Sequence, residues 1–287
     1  MTKDLSDITR VGPHLRMMLP ELTELEAKVV KLMLQNEHFN VTTPLHVFAE
    51  AAGVSDAMVV KVAKKLGFLG FREMRDQVGK YNQLPTADLF SEIGPSDPTR
   101  VVVEKVFRTA IQALEETLAI VDANAFERAA SAMMGAKQRD FYGLGGSAQI
   151  ARDVAHKFLR IGVRCSVFDD AHMMMMSANL LGPDDVAVAF SHSGQTSAVI
   201  EAIALARRTG AKTIVVTCYP NAPLAQAGDI ILAATARGSA LLGENAAARV
   251  AQLSMLDALF VAVAQRDYEG AEQRLRRTMN AIIGRRS

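Results

Sequence analysis

Val186-Ala187-Val188-Ala189-Phe190, followed at once by Ser191-His192-Ser193-Gly194-Gln195-Thr196, is the stretch on which the fold reading turns. Five apolar residues bounded by turn formers are too short for a buried helix and suit a strand whose two faces are both covered. The loop that follows carries three hydroxyls and a glycine, and a new helix is predicted from about Thr196. Hydroxyls and backbone N–H groups at a helix start hold an anion without a metal or a lysine.

Working outward, comparable apolar runs occupy 140–143, 163–168, 213–217 and 230–233, each separated from the next by a helical stretch. Alternating strand and helix predicts an α/β fold, a doubly wound sheet of five parallel strands. A second glycine-rich loop, Gly143-Leu144-Gly145-Gly146-Ser147, leaves the first strand and opens the helix Ala148 to Arg160. In open parallel sheets such loops meet beyond the carboxyl ends of the strands, where Ser147 would complete the cup. The same glycines also fit the dinucleotide pattern G-x-G-x-x-A through Ala148, with Asp169 and Asp170 lying 26 and 27 residues beyond Gly143, so a nicotinamide or flavin reading stays open.

The amino-terminal third is different. Leu25, Val29, Leu32 and Met33 share one helical face, with Thr23 and Glu26 as a capping box. A short helix is expected from Thr43 as N-cap and Pro44 at its first position to Gly53. Another starts at Ser55, places Val59, Val62, Ala63 and Leu66 inward, and ends at Gly67. Two short helices across a tight glycine turn form a helix-turn-helix, whose second helix enters the DNA major groove. Ser55 and Asp56 lead that helix, and Met58, Lys61 and Lys65 face away from its buried side. Between Lys61 and Lys80 six basic residues, including Lys64 and Arg72, oppose Glu73 and Asp76, a local net charge of 6 − 2 = +4 suited to phosphates.

The 287 residues, 49% apolar and 22% charged with a net charge of +1, allow two domains with real cores. The all-α DNA-binding domain is placed at 1–82, a proline-rich linker at 83–98, and the second domain with its flanking helices at 99–287. Cys165 and Cys218 fall within predicted strands, which favours reduced, buried thiols. No uncharged apolar run reaches the length of a membrane span and the first residues carry acids, so a cytoplasmic protein with no membrane partner is expected.

The pairing of GLGGS with SHSGQT resembles the sugar isomerase (SIS) domain over roughly residues 125–265. With the amino-terminal module, the chain resembles the RpiR family of regulators over nearly its whole length. The segments VSDAMVVKVAKKLGFLGFR, HKFLRIGVRC, DAHMMMMSANLL and PLAQAGDII carry that resemblance further. It implies a transcriptional regulator, commonly a repressor, that binds double-stranded DNA and answers to a pentose or hexose phosphate such as ribose 5-phosphate or allose 6-phosphate. It further implies that Ser147, Ser191, Ser193 and Thr196 contact the sugar phosphate, with Gly145, Gly146, Gly194 and Gln195 shaping the loops. A homodimer or homotetramer would set two recognition helices on a palindromic operator. No cofactor and no metal are called for. The other reading is an aldose-ketose isomerase with an accessory helical domain, for which Glu244, His192 or His172 would be the base. Glu244 is also the weaker candidate for the sugar-phosphate site, and it equally suits the start of the apolar helix that follows it. The run Met173 to Met176 is assigned to core or subunit interface.

Overall fold

The computed structural model describes residues 5–34, 39–85, 87, 92–237 and 245–283. The chain groups into two compact units: Met1–Ile120 with Thr235–Ala251, and Val121–Ala234 with Gln252–Ser287.

In the first unit, α1 (Val11–Met18), α2 (Glu24–Met33), α3 (Leu45–Ala52), α4 (Asp56–Lys65) and α5 (Phe71–Asn82) surround one core. Val29 and Met33, Phe48 and Ala52, Val59 and Val62, and Met74 and Val78 are fully buried in it, so each helix contributes its apolar stripe. The capping box on α2 forms as the sequence predicts: Glu26 N donates to Thr23 Oγ1 and Thr23 N donates to the Glu26 carboxylate. The start of α3 lies one residue further on than expected. Pro44 is the N-cap, and the Thr43 hydroxyl instead accepts the Asn40 N–H at 2.9 Å, closing the preceding turn. Gly53 takes φ 68°, and Val54 N returns to Ala49 O at 3.0 Å, ending α3 tightly enough for α4 to begin two residues later.

The long helix α6 (Thr99–Ile120) belongs with this unit, whereas the expected boundary at 83–98 would have put it with the second domain. Its Glu116 is buried and takes up the Arg16 guanidinium of α1 and the Tyr81 hydroxyl of α5. One turn position on, the Thr117 hydroxyl accepts Thr235 N at 3.0 Å and donates to Thr235 O at 3.1 Å.

The second unit opens with α7 (Ala123–Gly135). It continues through β1 (Arg139–Gly143), α8 (Gly146–Arg160), β2 (Ser166–Phe168), α9 (Ala171–Leu180), β3 (Val186–Phe190), α10 (Ser197–Arg208), β4 (Lys212–Thr217), α11 (Pro223–Ala227) and β5 (Ile230–Ala233), and then α12 (Asn245–Gln265), which enters this unit at Gln252, and α13 (Tyr268–Ile283). All strands are parallel in the order β2-β1-β3-β4-β5, with Gly143 opposite Phe190. Tyr142, Ala187, Ala189 and Val215 pack with Met174, Ala178, Val199 and Ile203 of α9 and α10. On the alternate positions, Phe141 meets Phe158 of α8 and Phe190, and Phe158 meets Phe260 of α12. The sheet is therefore doubly wound with five strands, as expected. β2 is shorter than the run 163–168 because Val163 N donates to Phe158 O at 3.0 Å and is spent ending α8.

The methionine run divides between environments. Met174 is in the core, whereas Met173 and Met176 are exposed. Within α12, residues Ala246–Gln265 have a mean hydropathy of 1.5 and enough length to cross a membrane. A single such helix is a weak sign of a span, because core helices pass the same test; Met255, Leu256, Leu259 and Val263 are buried here.

Candidate functional site

The strand order places β1 and β3 side by side, with β2 reached in one direction and β4 and β5 in the other. The carboxyl ends of β1 and β3 are thus the topological switch point, the position at which open α/β sheets leave a crevice. Gly145, Gly146 and Ser147 leave β1 there, and Ser191 to Thr196 leave β3.

After β3 the chain stays attached to the neighbouring strand. Ser191 N donates to Val216 O at 3.1 Å, Cys218 N donates to His192 O at 3.1 Å, and the Thr217 hydroxyl donates to His192 O at 3.2 Å. The loop then folds on its own hydroxyls. Buried Ser191 accepts Gly194 N at 3.1 Å and lies 3.1 Å from the Thr196 hydroxyl, while Ser193 accepts Gln195 N at 3.2 Å. Gly194 sits at φ 64°, and a β-carbon there would lie 2.5 Å from that of Ala222, so only glycine closes this turn. Gln195 is exposed.

The loop after β1 is built the same way with fewer side chains. Gly145 is the N-cap of α8 at φ 55°, Gly145 and Gly146 are exposed, and Ser147 is half-buried. Side chains of Thr23, Ser55, Asp122 and Asp170 cap the starts of α2, α4, α7 and α9. Among the described residues, no side chain caps α8 or α10, nor α1, α3, α5 or α11; what sets α8 and α10 apart is that both start at the carboxyl ends of adjacent strands. Two helix N-termini of 15 and 12 residues thereby present backbone N–H groups and a positive dipole end at the switch point. Glu244 lies outside the described residues. Sequence reading overlooked Thr217; a threonine closing an otherwise apolar strand was the available signal.

In the first unit, Ser55 caps α4 by accepting Met58 N at 3.3 Å, and Asp56, Lys61, Lys64 and Arg72 are exposed. Met58 is half-buried against the helical core. Lys65 and Lys61 both reach back to the buried Glu26 of α2, at 2.6 and 3.6 Å. The hydrogen bond from Lys65, and then that from Thr23 N, pull the Glu26 carboxyl down to about 2. One carboxylate thus caps α2, fixes the tilt of α4 and neutralises part of its positive charge. Nothing in the spacing of Glu26 and Lys65, 39 residues apart, announces that pairing.

Comparison with known proteins agrees with both halves. Residues 9–84 match the "Helix-turn-helix domain, rpiR family" and residues 132–262 match the "SIS domain". The "HTH-type transcriptional regulator RpiR" of Escherichia coli K12 is 43% identical over 273 residues, covering 95% of this chain and 92% of that protein. The Vibrio vulnificus NanR protein, solved in complex with ManNAc-6P, aligns with 96% of this chain and 100% of its own at a TM-score of 0.61 and 22% identity, a likeness of fold. The sugar isomerase domain of the RpiR transcription factor from Sphaerobacter thermophilus aligns with 63% of this chain and 99% of its own, at a TM-score of 0.57 and 25% identity. Relatives along the whole length are named as transcriptional regulators, and the helix-turn-helix is present, so the chain is a regulator rather than an enzyme. It belongs to the RpiR family of helix-turn-helix transcriptional regulators.

Proposed function

We propose that this regulator is a cytoplasmic repressor whose DNA affinity is set by a phosphorylated sugar bound at the β1/β3 switch point. The observation that carries the reading is that α8 and α10 both start, without side-chain caps, at the ends of the adjacent strands β1 and β3, with Ser147, Ser193 and Thr196 in the two loops. A phosphate satisfies those N–H groups and accepts from the hydroxyls. Gly145, Gly146, Gly194 and Gln195 shape the loops, and Ser191 braces the second one from within. The NanR complex, of the same fold, supports a phosphorylated sugar as the ligand class; a pentose or hexose phosphate such as ribose 5-phosphate or allose 6-phosphate suits the site.

On the DNA side, Ser55 and Asp56 lead the recognition helix toward base edges beside half-buried Met58, while Lys61, Lys64 and Arg72 serve the phosphates and Lys65 reaches them only by leaving Glu26. A symmetric homodimer or homotetramer sets two such helices about 34 Å apart on a palindromic operator. The effector shifts the population between DNA-competent and incompetent arrangements.

The test is a fluorescence-anisotropy titration of the protein on its own upstream intergenic DNA, with and without ribose 5-phosphate, allose 6-phosphate and other sugar phosphates. One sugar phosphate shifts the affinity, and Ser193→Ala abolishes the shift while binding DNA normally. Specific DNA binding that no sugar phosphate alters would remove the sensor reading.

A further inference from the structure

The helix α6 buries one side and bares an apolar stripe on the other. Thr109, Gln112, Ala113, Glu116, Thr117 and Ile120 are buried within the first unit. Val103, Phe107, Ile111 and Leu118 are 52%, 66%, 44% and 74% exposed. With half-buried Leu114 they lie within about 80° of arc at 3.6 residues per turn. Scattered exposed apolar residues need no explanation, but a continuous stripe along a six-turn helix does.

We infer that this stripe is a self-association surface, where α6 of one copy packs antiparallel against α6 of a second copy. Phe107, Ile111, Leu114 and Leu118 are spaced 4, 3 and 4, the a/d spacing of a helix that packs knobs into holes on another. Turned end over end about a two-fold axis between Gln112 and Ala113, the four a/d residues match one another, while Val103 lies beyond the matched stretch. Phe107 meets Leu118 of the second copy, and Ile111 meets its Leu114.

The flanking charges favour the same register. Arg108 and Glu115 each follow a stripe residue on the same side of the helix and are exposed. The two-fold brings Arg108 of one copy to Glu115 of the other, and the symmetry makes that contact twice. Arg108 meanwhile pairs with Glu104 on its own helix at 2.8 Å, an exposed pair that exchanges cheaply.

The size is adequate for a partner of this kind. Large side chains bared to this degree present on the order of 400 Å² of apolar surface. At the usual apolar share of a little over half, that corresponds to about 700 Å² per copy, near the ~800 Å² of a stable interface.

This inference deepens the oligomeric part of the proposed function and rests on it. The test is sedimentation velocity of the full-length protein over a concentration series, without DNA or sugar phosphate, with circular dichroism to check folding. Leu118→Arg lowers the association state. Arg108→Glu and Glu115→Arg each raise the dissociation constant about tenfold or more, since reversal creates like-charge contacts twice. The double reversal returns it to within about threefold of the natural protein. A natural protein that sediments as a monomer overturns both the surface and the oligomeric reading. An oligomer that all four variants leave intact overturns the α6 surface alone. Folded single variants that are weakened without rescue in the double overturn the antiparallel register.

Discussion

Replacing Glu26 by glutamine isolates what one buried carboxylate does for the DNA-binding helices. The side chain keeps its shape but loses the charge that accepts from Thr23 N at 2.9 Å and from Lys65 at 2.6 Å. A hydrogen bond to a charged group contributes about 1.5–3 kcal/mol, and the Lys65 end is a third exposed, which cuts its share to below about 1 kcal/mol. Glutamine retains a weaker version of the first bond, so the loss comes to about 2 kcal/mol, or roughly thirtyfold in the opening equilibrium of α2.

Hydrogen-exchange mass spectrometry on the full-length protein reads that opening directly in peptides covering α2. The pH dependence has a definite sign. The folded carboxyl sits at about 2, below its ordinary value of 4.5, so its contribution is complete above the ordinary value and drains away as pH falls toward 2. The gap between natural protein and variant is therefore full at pH 7 and reduced by more than half at pH 3. A gap that is the same at both pH values, or below about threefold at pH 7, refutes the assignment of charge-dependent stabilisation to Glu26.

Arg16→Met leaves Glu116 buried with the Tyr81 hydroxyl but without its Arg16 ion-pair partner and is expected to cost about 3–5 kcal/mol in urea unfolding, whereas Arg16→Met combined with Glu116→Leu recovers most of it; a double variant as unstable as the single would count against the paired-charge explanation. Gly194→Ala forces a side chain into φ 64° and against Ala222, so the sugar-phosphate effect on DNA affinity disappears while effector-free DNA binding persists within about threefold, as anisotropy would reveal. Burial pushes the thiol of Cys218 up to about 12, so it does not react with a disulfide reagent at pH 8 until the protein is unfolded, whereas Cys165 is only half-buried. Rapid labelling of Cys218 in the native state would contradict its burial.

What the sequence made legible was what repeats locally. Apolar runs of four to six residues fix β1, β3, β4 and β5, and glycine and hydroxyl loops mark where they end, because strand burial and turn chemistry are written within a few neighbours. Small shifts arise where two local signals compete. Pro44 could open a helix or precede one, and Val163 could extend a strand or finish α8. The long-range electrostatics were illegible for a different reason. Glu26 with Lys65, Arg16 with Glu116, and Thr117 with Thr235 join residues 39, 100 and 118 apart, and only the packed helices bring them together. In the same way, the bared stripe of α6 looks in sequence like any amphipathic helix; the structure identifies which side is already covered.

The interleaving of the two units bears on how the protein is made. The first unit closes only when Thr235, bonded on both its N–H and its carbonyl to Thr117, has been synthesised, after every strand of the sheet. During translation Thr235–Ala251 emerges after the amino-terminal helices and after every strand of the intervening sheet. A fragment cut after Ile120 therefore keeps the helical core but leaves the Thr117 hydroxyl without Thr235, so a fragment meant to carry the whole first unit has to include Thr235–Ala251 as well.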